Sequence, residues 1–267
     1  MGEHSRSQII ATIGPATKDK EIMRELVRHQ MDVARLNFFW GTREEQLGYI
    51  NTLREVAKDA GRHIPIIQDL AGPRIQEKDG HEFDSGFSGA LTEKDRADLD
   101  FGAKNGVDYV SLSYVGNASD IKLLRGEMSK RGMKKPVIAK IERKVALDNL
   151  AEIIAEADAI MIARGDLGNE VPLQEIPYIE RDIIKQANEA GKPVITATQM
   201  MLSMVDSPVP TRAEVTDVTY AILAGSDAVM LSEETAQGHY PVETVAMMET
   251  IILEAEKRGN RREFHFL

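Results

Sequence analysis

Lys140-Ile141-Glu142 and, further on, Ala163-Arg164-Gly165-Asp166 each close a short apolar run with the character of a β-strand. Side chains alternate along a strand, so Lys140 and Glu142 face the same way, and Asp166 follows the next strand after a glycine. Two carboxylates on adjacent strands suit Mg²⁺ or Mn²⁺, with waters and substrate oxygens completing an octahedron. A lysine beside that ion would oppose negative charge developing on an enolate oxygen. The Ala163-Arg164-Gly165-Asp166 turn presents backbone N–H groups, which suit a carboxylate. Arg35 and Asn37 close a second run, Asp69 a third, and Thr198 lies just past a seventh. Singly, each would be a surface ion pair or a solvated polar group. Together, at the ends of five strands, they point to an enzyme that handles a small anionic substrate.

The elements that must position these residues alternate in type along the chain. Apolar or β-branched runs at 8–12, 33–37, 64–69, 109–113, 136–141, 159–163, 193–196 and 228–231 are separated by longer segments with helical spacing. Ile121, Leu124 and Met128 form one such apolar stripe, and Ile179, Ile183, Ile184 and Ala187 another. Ser119-Asp120 and Pro210-Thr211 with Glu214 signal helix starts, and Gly106, Gly191 and Gly225 signal stops. Eight strands, each followed by a helix, predict an α/β fold, a single (β/α)8 TIM barrel over 1–258, with an open doubly wound sheet as the rival. Residues 76–90 read as an aperiodic, Gly-containing loop that includes His81, and 259–267 as a tail, basic and then apolar.

Composition narrows the function further. The 267 residues are 42% hydrophobic, enough for a core, and carry a net charge of −10, which disfavours nucleic acid and anionic membranes as partners. There is no cysteine, so thiolate catalysis and Cys-ligated zinc are excluded. The first eight residues are polar and no apolar run reaches about 20 residues, so a soluble, cytoplasmic protein is expected. The six histidines show no ligand-like spacing.

Longer matches carry a resemblance. Ile9-Ile10-Ala11-Thr12-Ile13-Gly14-Pro15-Ala16, Val33-Ala34-Arg35-Leu36-Asn37-Phe38, Met161-Ile162-Ala163-Arg164-Gly165-Asp166-Leu167-Gly168, the 191–200 stretch GKPVITATQM and Pro210-Thr211-Arg212-Ala213-Glu214 together resemble the pyruvate kinase family, over almost the whole chain. The resemblance implies a phosphoenolpyruvate-binding barrel. It makes Glu142 and Asp166 the metal ligands, Lys140 the catalytic lysine and Thr198 the residue near the enolate face. It makes the Ala163-Arg164-Gly165-Asp166 turn the carboxylate site, with Arg35 catalytic and Asn37, Asp69, Arg74, Ser232 and Glu234 binding substrate. Mg²⁺ or Mn²⁺ is the implied cofactor.

The departures from the family pattern are as specific. A lid domain of roughly a hundred residues, which the family inserts after the third strand, is replaced by the short 76–90 segment. The carboxyl-terminal domain, with its effector and subunit contacts, is absent from this sequence. Phe39-Trp40 stand where the family has Ser-His, which removes a monovalent-cation ligand and a nucleotide contact. Gln76 replaces a phosphate-binding arginine, Glu233 a glycine, and Arg74 a glutamate, at a place where potassium-independent members carry lysine. The guanidinium of Arg74 would stand in for K⁺, and Trp40 would act as a hydrophobic cover. These losses fall on the nucleotide half and spare the half that polarises an enolpyruvate. The expected activity is therefore metal-dependent enolate chemistry on a 2-oxo acid, by decarboxylation, aldol-type cleavage or enolisation, in the lyase class. Phosphotransfer between phosphoenolpyruvate and a nucleotide is the alternative, and a non-catalytic scaffold the third reading. A homo-oligomer, or a partner chain serving as lid, would compensate for the missing domain.

Overall fold

The computed structural model describes residues 4–77, 80–87 and 89–259, with the side chains of 76, 77 and 80–82 excepted. The expected tail, from 260 onward, and the side chains of Gln76 and His81 lie outside the described part. Among the described residues ten strands form: β1 (Gln8–Ile13), β2 (Met31–Asn37), β3 (Ile66–Asp69), β4 (Arg74–Glu77), β5 (Gly80–Phe83), β6 (Tyr109–Leu112), β7 (Val137–Ile141), β8 (Ala159–Ala163), β9 (Val194–Ala197) and β10 (Ala228–Leu231). Eight of them close a barrel in the order β1-β10-β9-β8-β7-β6-β3-β2, the (β/α)8 architecture that the alternation predicts. Strands β6–β10 are buried along their whole length, which explains why they read as continuous apolar runs rather than alternating ones.

Two compact units make up the chain. One comprises residues up to 36, 42–66 and from 193 onward; the other comprises 37–41 and 67–192. In the first, β1 pairs in parallel with β10 and β2, and β10 with β9. In the second, β6 pairs in parallel with β3 and β7, and β7 with β8.

Local signals set several helix ends. The helix Arg212–Ala224 starts on the predicted capping box, Thr211 Oγ1 accepting from Glu214 N at 3.2 Å and Thr211 N donating to Glu214 Oε2 at 2.7 Å. Gly106 and Gly225 end their helices in the left-handed conformation. The helix Ala118–Lys130 starts earlier than Ser119-Asp120 suggests, because Asn117 Oδ1 accepts from Ser119 N at 2.8 Å and so takes the capping position. Its predicted stripe of Ile121, Leu124 and Met128 is buried.

The segment after β3 departs from expectation. In place of an aperiodic loop it opens with an antiparallel hairpin, β4 against β5, in the register Arg74 to Phe83 and Gln76 to His81. The pairing spans only four residues per strand, too short for period-2 patterning to emerge from so polar a sequence. Among the described residues, no helix is long and apolar enough to cross a membrane.

Candidate active site

Lys140 is the centre of a buried polar cluster at the carboxyl ends of β3, β6 and β7. Its Nζ lies 2.8 Å from Ser113 Oγ, 2.9 Å from Glu142 Oε1 and 3.4 Å from Asp69 Oδ2. Lys140 is 3% exposed, and Glu142 and Asp69 are 1% exposed each, so these charges interact in a medium far less polarisable than water. The serines of the β6 end tie the cluster to its scaffold: Ser111 Oγ donates to Asp69 Oδ1 at 2.6 Å and Ser113 Oγ to Leu70 O at 2.7 Å. Ser111 and Ser113 were legible as alternate positions of one strand, yet two serines carry no motif, and neither is among the residues singled out from sequence.

Glu142 carries the clearest electrostatic mark. Burial pushes its carboxyl up from the ordinary range, the negative charge of Asp166 adds to this, and Lys140 opposes both. Its Oε2 accepts from Tyr114 N at 2.6 Å, while its buried Oε1 faces Lys140 without forming a hydrogen bond. An incompletely satisfied carboxylate oxygen beside a second carboxylate is a donor set that fits a divalent cation. Among the described residues, no group of three or more acidic or histidine side chains could hold a metal. Glu142 and Asp166 would therefore supply two ligands and leave the other positions open, the arrangement that Mg²⁺ favours at sites where substrate oxygens also bind.

Arg74, the first residue of β4, donates from Nε to Ala71 O at 2.8 Å. Its guanidinium lies 4.5 Å from the Phe39 ring centroid and 5.4 Å from that of Tyr114. Trp40 meets Phe39 edge-on at 4.7 Å and is 57% exposed, so its indole lies at the rim of the unit. Asn37 is spent partly on local geometry, its Oδ1 accepting from Phe39 N at 3.1 Å. Arg164 opens the short helix Arg164–Glu170 and is held by the buried Glu180 at 3.1 Å, with Gly165 and Asp166 following it in the first turn.

The remaining sequence-predicted residues belong to the other unit. Arg35 is buried, and its Nη1 donates to Thr12 Oγ1 at 3.0 Å, whose own hydroxyl donates to Leu231 O. Thr198 adopts φ +68°, a left-handed conformation that is rare for a β-branched residue and characteristic of functional turns. Its hydroxyl donates to Ala197 O. The carboxylate of Glu234 is committed to backbone, accepting from Met201 N at 3.1 Å and from Ser232 N at 2.7 Å. Fully buried, it joins two loops.

Fold and site together define a (β/α)8 barrel with a buried lysine–carboxylate centre at the carboxyl ends of its strands, the end at which such barrels carry their chemistry. The family model for the pyruvate kinase barrel domain matches residues 4–88 and 87–245. The chain belongs to the pyruvate kinase family. It is 37% identical to a pyruvate kinase of Thermococcus litoralis over 94% of this chain and 70% of the relative. It is 36% identical to pyruvate kinase 2 of Synechocystis over 92% of this chain and 56% of the relative, and 35% identical to a pyruvate kinase of Staphylococcus aureus over 94% and 57%. The chain thus spans little more than half the length of the last two. Their aligned stretches run to 330 and 333 positions against 267 residues here, so these relatives carry extra residues inside the aligned region. The family match breaks at 87–88, just beyond the hairpin. These relatives, all named as pyruvate kinases, lend no support to the lyase preference drawn from the departures.

Proposed function

We propose that the chain carries out pyruvate kinase-type phosphoryl transfer between phosphoenolpyruvate and a nucleoside diphosphate, with Mg²⁺ or Mn²⁺ held by Glu142 and Asp166. The observation that carries this reading is the buried contact of Lys140 with Glu142, Asp69 and Ser113, set in a chain of this family. In the forward direction the bond between phosphorus and the enol oxygen breaks, the phosphoryl group passes to a terminal oxygen of the diphosphate, and the enolate left behind gains a proton to become pyruvate. Lys140 is already desolvated and fixed by three partners, so its ammonium stabilises charge on the transferring group without reorganisation. The bound cation, when present, supplies positive charge to the phosphoryl and enolate oxygens. The turn at 163–166 takes the substrate carboxylate. The roles of Thr198 and Arg35 rest on family membership.

Phe39, Trp40 and Gln76 weaken the nucleotide side, so turnover is slow; the absence of one phosphate-binding arginine alone costs roughly 10²-fold or more. Arg74, ringed by Phe39 and Tyr114, supplies a fixed cation and makes activity independent of K⁺. The test is pyruvate release from phosphoenolpyruvate, coupled to NADH oxidation. Release that requires both the divalent cation and the diphosphate, and that Glu142→Gln abolishes, supports the proposal. Release without the diphosphate, or none at any metal concentration, overturns it.

A further inference from the structure

We propose that Tyr114 is a positioning residue that sets the mutual geometry of the Glu142 and Asp166 carboxylates, and that the β4–β5 hairpin fixes its ring in place. This rests on the reading of those two carboxylates as the ligands of a divalent cation. Tyr114 lies just past β6 and reaches both of them. Its backbone N–H donates to Glu142 Oε2 at 2.6 Å and its hydroxyl to Asp166 Oδ1 at 3.4 Å. A carboxylate with one oxygen held by a fixed donor cannot rotate freely, and restraints of this kind typically govern metal affinity by about 10–100-fold.

The backbone at Tyr114 is strained to make this reach. Its φ of +56° lies in the left-handed region, which is costly for a bulky residue and persists only where the surroundings enforce it. Those surroundings are specific. Gly72 has φ +67° and passes so close that a Cβ there would sit 2.9 Å from Ser113 Cβ and 3.1 Å from Tyr114 Cδ2, so only glycine fits. The Arg74 guanidinium lies 5.4 Å from the Tyr114 ring, and the Phe83 ring packs against it at 5.5 Å and 51°. Arg143, next in sequence to Glu142, places its guanidinium 3.6 Å from the centre of Phe83. The two hairpin residues paired in register, Arg74 and Phe83, thus both bear on Tyr114. The hairpin does more than shorten a connection. It supports the residue that orients the carboxylate pair.

Mn²⁺ affinity, followed by the electron paramagnetic resonance signal of free Mn²⁺, tests the proposal on the full chain and its variants. Tyr114→Phe keeps the ring and removes only the hydroxyl. It is expected to weaken Mn²⁺ binding about tenfold, at the low end of such effects given the 3.4 Å contact, with the melting temperature little changed. The Mn²⁺ concentration for half-maximal turnover should rise in step while kcat at saturating metal holds. Phe83→Leu, which touches neither carboxylate, should shift affinity in the same direction by less. Wild-type Mn²⁺ affinity in Tyr114→Phe would overturn the positioning role while leaving the metal site intact. No binding by the wild-type chain, equal to Glu142→Gln, would instead remove the metal reading and this inference with it.

Discussion

The starts and the ends of the barrel strands use the same chemical group for different purposes. At the starts, Asp32 Oδ2 accepts from Ile9 N at 2.9 Å, Asp158 Oδ2 from Val137 N at 2.7 Å and Asp227 Oδ2 from Val194 N at 2.9 Å. Each carboxylate satisfies an early backbone N–H of a neighbouring strand and so serves the architecture of the sheet. At the ends, Asp69 and Glu142 face the lysine of β7, with Asp166 close enough to oppose ionisation of Glu142. Negative charge there gathers around one lysine, which suits a site that is to bind a cation and an anionic substrate together. The carboxylates at the starts bond to the backbone of neighbouring strands, whereas Asp69 and Glu142 at the ends crowd around one lysine.

Breaking the end cluster should have the largest effect. Lys140→Met leaves Asp69 and Glu142 buried without their cation. It should lower phosphoenolpyruvate turnover by about 10³-fold or more and destabilise the fold by about 3–5 kcal/mol, measured by coupled assay and urea unfolding. If stability falls but turnover does not, the distinction between starts and ends collapses. Arg74→Gln should cost about tenfold in turnover in K⁺-free buffer, with part regained on adding K⁺; unchanged K⁺ dependence would remove Arg74 from the cation's place. Asp158→Ala should cost about 1–3 kcal/mol of stability, by urea unfolding, while Mn²⁺ affinity stays at the wild-type value. A change in metal affinity would mean that the strand starts are not merely structural.

The smallest effect concerns pH. Burial raises the Asp32 carboxyl to about 6, against backbone and Arg62 contacts that lower it. A group whose folded value lies above its unfolded value of 3.8 binds more protons in the native state. Its contribution to stability is therefore present below the unfolded value and is lost as pH rises towards about 6. Asp32→Asn should flatten that decline between roughly pH 4 and 6 in thermal unfolding. An identical slope in the variant would show that Asp32 does not titrate in this window.

Much of the barrel was legible because its signals are local. Apolar runs, capping residues such as Thr211 with Glu214, and stop glycines act within a few residues of one another, so all eight barrel strands could be read directly. Lys140 and Glu142 were legible for the same reason, since strand alternation puts them on one face. The hairpin escaped because its four-residue strands are polar and carry neither an apolar run nor enough residues to show a period. Ser113 and Tyr114 escaped because their importance comes from partners far along the chain: Lys140 for the one, Glu142 and Asp166 for the other. Glu234 shows the converse, a carboxylate at a strand end that looked ready for substrate and whose contacts are with two backbone amides.

The sequence by itself determined the alternation of strands and helices, the family, and the lysine and carboxylates proposed to carry the chemistry, because these depend on residue type and short-range spacing. Only the tertiary structure decided how those carboxylates are held. Burial, a strained tyrosine between two of them, and a hairpin whose Arg74 and Phe83 pack against that tyrosine arise from contacts across tens of residues, where no periodicity links the partners and only the folded geometry brings them together.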